Sequence, residues 1–216
     1  MKLPLLILTI FCLSCFSSGA QTKTDSLQSV KKDSTLVKDS AAYKDSIRFE
    51  KLLEKADYPV IKNSKYSAAL PVSGINEKPD PKMKYKILVE VTGWEKDSAS
   101  LRKVNGSLAE AGRILNLHIE AGIDKKNVEM IIVAHAGVLN ALLTNEKYKK
   151  KFHTDNPNLD IIKQFQDNNV KIIACGQAMH FVDIPKEDLL PVVKIALSAK
   201  VVLSTYLLKG FVLFYG

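Results

Sequence analysis

Val128-Glu129-Met130-Ile131-Ile132-Val133-Ala134 decides the fold. Seven residues, nearly all apolar and four of them β-branched, suit a strand covered on both faces rather than one with a wet side. Two more runs of the same kind stand on either side. Tyr85-Lys86-Ile87-Leu88-Val89-Glu90-Val91 ends just before the breaker Gly93, and Val170-Lys171-Ile172-Ile173-Ala174 runs directly into Cys175-Gly176. Between them lie helical patterns. Val104, Leu108, Ala111, Leu115 and His118 form one stripe in the segment Leu101 to Ala121, which Gly122 closes. Short helices are predicted over Val138 to Leu143 and Asn145 to Phe152. A further one is predicted over Pro157 to Asn168, with Asn156 as N-cap and Pro157 at the first helical position. Pro185 to Ala196 reads as a helix; Lys200 to Leu203 and Phe211 to Phe214 read as two short strands. Strands alternating with helices predict an α/β fold, a flavodoxin-like, mainly parallel sheet with helices on both faces.

Outward from this core, residues 84–216 make one domain, and a chain of 216 residues leaves room only for extensions to it. Residues 49–83 read as a helix followed by an extended surface arm, punctuated by Pro59, Pro71, Pro79 and Pro81. The helical pattern itself emerges from about Tyr43, where Ile47, Leu52 and Leu53 are interleaved with charges. Residues 21–48 are polar, and Lys-Asp-Ser recurs from Lys32, Lys38 and Lys44; such a stretch reads as a flexible linker. Residues 1–20 read as an export signal. Lys2 supplies the positive start, Leu3 to Phe16 the apolar body, and Ser18 and Ala20 the small residues that signal peptidase accepts. The expected location is periplasmic or secreted. A lipid-modified Cys15 is the weaker alternative, because Cys12 stands where a leucine is normally wanted.

The cysteines are Cys12, Cys15 and Cys175, so cleavage after Ala20 leaves a single thiol and no internal disulfide. The formal charge of +8 falls to +7 with the loss of Lys2. The lysines are scattered, the one cluster (Lys147, Lys149, Lys150, Lys151) reads as a solvated helix end, and no aromatic interleaving points to nucleic acid. The one Cys-x-x-Cys, Cys12-Leu13-Ser14-Cys15, lies in the expected export signal; beyond it no Cys-x-x-Cys, metal-ligand histidine spacing, glycine-rich phosphate loop or Gly-x-Ser-x-Gly elbow occurs, so no metal and no cofactor is expected.

Open parallel sheets hold their ligands beyond the carboxyl ends of the strands. Three such ends carry chemistry here: Gly93-Trp94, His135 and Cys175. A cysteine between a strand tip and a helix start feels the positive end of the helix dipole, which favours the thiolate, and an imidazole nearby can pair with it. Bland alternatives stand beside this. A free cysteine often only fills space, a strand-tip histidine is as often a structural hydrogen-bonding residue, and His118 on the apolar stripe reads as a satisfied core histidine. His180, five residues beyond Cys175, is placed near it by sequence alone.

Five short motifs then fall in order: Val133-Ala134-His135-Ala136-Gly137, Asn156-Pro157-Asn158, Ala174-Cys175-Gly176-Gln177, Ala196-Leu197-Ser198-Ala199 and Lys209-Gly210-Phe211. Together they resemble the DsrE/DsrF family of sulfur-relay-like proteins, over about 130 of the 216 residues. The resemblance is strongest to an exported branch with a proline-rich arm. It implies a homo-oligomer, a trimer or hexamer, and a cysteine that carries sulfur as a persulfide, a role that falls on Cys175. His135, Gly176 and Gln177 belong to the same matching segments and are the expected binding residues. The implied partners are a sulfur donor or acceptor protein or a small thiol compound. The alternative function is a non-catalytic oligomeric module that binds a small ligand or a partner.

Overall fold

A computed structural model of the chain describes residues 41–216 except Asn63 and Lys96. The expected export signal, and the linker up to residue 40, lie outside the described residues. By internal contacts the chain divides into residues 1–49 and 50–216. Helix α1 (Ala41–Leu53) carries no buried residue, and it opens inside the stretch read as linker.

The second unit is built on five parallel strands: β1 (Tyr85–Val91), β2 (Val128–Ala134), β3 (Lys171–Cys175), β4 (Lys194–Ala196) and β5 (Val212–Tyr215). Their order is β4-β3-β2-β1-β5. The fold is thus the flavodoxin-like α/β arrangement, with its one reversal between β1 and β5. In flavodoxin itself the order is 2-1-3-4-5 and the jump across β1 comes second; here it comes last, when the chain leaves β4 for the free edge of β1.

Parallel neighbours need a crossover, and each crossover carries a helix. These helices are α2 (Gly106–Glu120), α3 (Asn145–Phe152), α4 (Leu159–Asp167), α5 (Gly176–Phe181) and α6 (Ala199–Leu208). Period-2 alternation sorts the strand residues between two cores. Ile87, Val89, Ile132 and Ala174 face one side with Leu108 and Leu115 of α2 and Phe165 of α4. Leu88, Ile131, Val133, Ile173 and Cys175 face the other, where Ala199 and Val202 of α6 and Phe211 cover them.

Four expectations are corrected. Pro185 to Ala196 is not a helix but a 3₁₀ turn (Lys186–Asp188) followed by β4, and Lys200 to Leu203 is not a strand but part of α6. The β-branched pair Val201-Val202 looks extended in isolation. Ser198, however, caps a helix through Val201 N–H, and the step from β4 to parallel β5 requires one. Asn156 does not cap α4, which starts at Leu159. It is buried, and its amide donates to the Ala141 and Leu143 carbonyls while its Oδ1 accepts from Asn158. The first long helix begins at Gly106 rather than Leu101, where the Asn105 side chain accepts from Ser107 and Leu108 N–H.

The proline-rich arm does not merely run over the surface. Ile61, Ser67 and Ala69 are fully buried, and Asn116 of α2 takes hold of the arm. Its Oδ1 accepts from Val60 and Ile61 N–H at 3.0 and 2.8 Å, and its Nδ2 donates to the Ile61 and Ser67 carbonyls at 2.8 and 2.7 Å. Gly112, one turn earlier, makes room: a Cβ there would stand 2.8 Å from Ser67 Oγ and 2.9 Å from Ile61 Cγ2. His118 is held within the core edge, its Nδ1 2.7 Å from the Ile114 carbonyl and its ring edge-on to Tyr85 and Phe214.

Candidate functional site

The carboxyl ends of β1, β2 and β3 bring together three side chains on the α6 side of the sheet. Glu90 is in register with Val133, and Val133 belongs to the core under α6. His135 follows one alternation later in extended backbone, and its N–H continues the ladder to the Val91 carbonyl at 3.1 Å. Cys175 follows Ala174, the partner of Ala134, so the register sets Cys175 beside His135. Adjacent strands lie roughly 4.8 Å apart, so Cys175, His135 and Glu90 occupy one face of three consecutive strands, Glu90 two residues back from the level of His135.

The row has internal structure. His135 Nε2 lies 2.8 Å from Glu90 Oε1. With Nε2–H donated to that carboxylate, a neutral ring keeps its lone pair on Nδ1. Cys175 is 6% exposed, and its Sγ accepts from Ala178 N–H at 3.4 Å. Among the described residues this is the one N–H within hydrogen-bond distance of the sulfur. Helix α5 is only six residues long, so the expected dipole contribution is that of a single turn.

Gly176 and Gln177 act through their backbone at the neighbouring crossover. A Cβ on Gly176 would stand 2.9 Å from the Ala196 carbonyl oxygen, so glycine lets the β3–α5 turn close on the β4–α6 turn. Gln177 N–H donates to the Leu197 carbonyl at 3.1 Å, and its side chain is exposed. A cavity of about 470 Å³ opens beside Gly176, lined also by Met179, His180, Asp183 and Ile195. His180 thus faces this cavity, while Trp94 lies elsewhere, over Gly137. Among the described residues no group of three or more His, Cys, Asp and Glu side chains is placed to hold a metal ion.

Glu90 was absent from the sequence-based candidates. Its signal was a lone carboxylate in the apolar run Ile87 to Val91, and burying such a group without a partner is costly. A partner on the next strand was therefore required, and it is His135.

The fold is thus a parallel α/β domain that carries a thiol, an imidazole and a carboxylate at the tips of three adjacent strands. The model of the DsrE/DsrF-like family matches residues 100–215, and the chain belongs to that family of sulfur-relay-like proteins. Among solved structures, the protein of unknown function MTH1491 from Methanobacterium thermoautotrophicum is similar at 18% identity, covering 61% of this chain and 99% of its own, with a TM-score of 0.43. The ychN protein from E. coli is similar at 16% identity with the same coverages and a TM-score of 0.43. No curated protein matches the chain.

Proposed function

We propose that this is an exported sulfur carrier in which Cys175 holds sulfane sulfur as a persulfide. The observation that carries the reading is the row Cys175, His135, Glu90 on one face of the strand tips, in a chain of a sulfur-relay-like family. In the loading step the thiolate attacks the outer sulfur of a sulfane donor such as thiosulfate. The new Sγ–S bond forms as the donor's S–S bond breaks, and sulfite leaves with the electron pair. His135 takes the thiol proton at Nδ1, and Glu90 steadies the resulting imidazolium. An acceptor thiol then removes the outer sulfur and returns the Cys175 thiol.

The test is intact-mass measurement of the exported chain, expected to begin at Gln21, after incubation with polysulfide or thiosulfate. The mass should rise by roughly 32 Da per sulfur atom held. If the folded protein stays unmodified, the carrier reading fails and the ligand-binding module takes its place. His135→Ala should slow loading at least about 10-fold without changing its final extent. An unchanged rate assigns the ring to structure alone.

The reading includes a homo-oligomer, a trimer or hexamer. Helix α6 buries Ala199 and Val202 against the sheet, yet it also turns Val201, Leu207 and Leu208 to the outside, with Leu208 90% exposed. A helix that is apolar on more than one side asks for a second covering surface, and Val212 and Tyr215 on the β5 edge add to the patch. Light scattering should give a multiple of the chain mass; a monomer across the micromolar range sinks this part of the reading.

A further inference from the structure

A second cavity, of about 430 Å³, stands apart from the thiol, where the chain leaves β1 and where the 3₁₀ helix Ala136–Leu142 follows β2. Its apolar walls are aromatic. Trp94 is 62% exposed and Phe181 89% exposed, with Phe152 as the third ring. The indole is set in place by a glycine: a Cβ on Gly137 would stand 2.4 Å from Trp94 Cδ2, so only glycine lets the ring lie on that turn.

The polar groups of the cavity favour one sign of charge. Glu95 and Asp97 line it. Glu95 Oε1 accepts from Asn105 Nδ2 at 2.7 Å, and the backbone N–H of Ser100, then its side chain, hold the Asp97 carboxyl below its ordinary range. The field of Glu95 reaches Tyr148, whose phenol is pushed up to about 12 by burial first and by that charge second. Asn140 Nδ2 donates to the Gly137 carbonyl at 3.0 Å, but its buried Oδ1 has no hydrogen-bond donor among the described residues. The only lining cation among the described residues, Lys151, already sets its ammonium 5.7 Å from the centroid of the Phe152 ring. Aromatic faces, two carboxylates and a buried acceptor without a donor all suit a positive ligand that carries N–H.

We propose that the cavity bounded by Trp94, Asn140, Phe152 and Phe181 binds an organic ammonium ion, an apolar body bearing a cation with at least one N–H. The ring faces take the cation and the apolar body, Asn140 Oδ1 accepts the N–H once the amide turns its buried oxygen into the cavity, and Glu95 and Asp97 supply the counter-charge. Lys151 acts as an internal competitor for the same ring.

Trp94 is the single tryptophan of the chain, so its emission reports on this cavity. The full chain is titrated with benzylammonium, benzyltrimethylammonium, benzyl alcohol and phenylacetate. Benzylammonium should give a saturable change in emission. Benzyltrimethylammonium, which keeps the charge and lacks the N–H, should bind roughly 10-fold more weakly, and the neutral and anionic probes weaker still. Lys151→Gln changes an exposed side chain and leaves the fold alone; it should tighten benzylammonium binding about 2-fold or more. Equal binding of phenylacetate or benzyl alcohol, no saturable response to benzylammonium, or weaker ammonium binding by Lys151→Gln would each overturn the proposal.

Discussion

Cys175→Ser should gain no sulfur under conditions that load the wild type, while its thermal midpoint stays within a few degrees of wild type. In a chain that starts at Gln21 no other cysteine remains to take the sulfur. Serine is a suitable control because it keeps the structural part of the cysteine's role. The sulfur now accepts the Ala178 N–H at the start of α5, and a serine hydroxyl is among the preferred groups at that position. Against this gain stands the cost of placing a hydroxyl among Ile173, Val133 and Val202, partly offset by the same hydrogen bond. The two contributions are of similar size, so folding and chemistry separate in this variant. Sulfur retained by folded Cys175→Ser would mean that the mass gain arises elsewhere and would remove the proposed role.

Asn116→Ala should destabilise the protein by about 3–5 kcal/mol, among the largest losses available to a single polar truncation here. The side chain is wholly buried and satisfies four backbone groups of the arm, two N–H of Val60 and Ile61 and two carbonyls of Ile61 and Ser67. Each group left buried without a partner costs about 1–3 kcal/mol, and water entering between arm and helix recovers part of the sum. The arm should come loose first, so protease cleavage within residues 57–82 should quicken before global unfolding. Asn116→Asp keeps the acceptor but turns a carboxylate oxygen on the Ile61 and Ser67 carbonyls, so at neutral pH it should cost at least as much as alanine. A loss under about 1 kcal/mol for Asn116→Ala would show that the arm is held by Ile61 burial rather than by this amide.

Some of this protein is legible residue by residue. The runs Tyr85 to Val91, Val128 to Ala134 and Val170 to Ala174 announce buried parallel strands because both faces of each must be apolar. Their ends then name His135 and Cys175 as strand-tip residues, and the ordered short motifs name the family that the comparison with known sequences establishes. What is local in cause is visible in sequence: the strand and helix periodicities and a helix stop at Gly122. The last third was misread where local preference and topology disagree. Val201 and Val202 favour a strand, but the chain must cross from β4 to the far edge of β1, and only a helix over the sheet makes that crossover. Tertiary structure alone decided which tips become neighbours. The order β3-β2-β1 and the register that pairs Ala134 with Ala174 set Cys175, His135 and Glu90 in one row, joining residues 45 and 40 positions apart along the chain. The burial of Cys175 has the same origin, because α6 covers the face on which alternation places its sulfur. So has the docking of the arm on Asn116, since the reach of one amide to four backbone groups depends on how two distant segments pack.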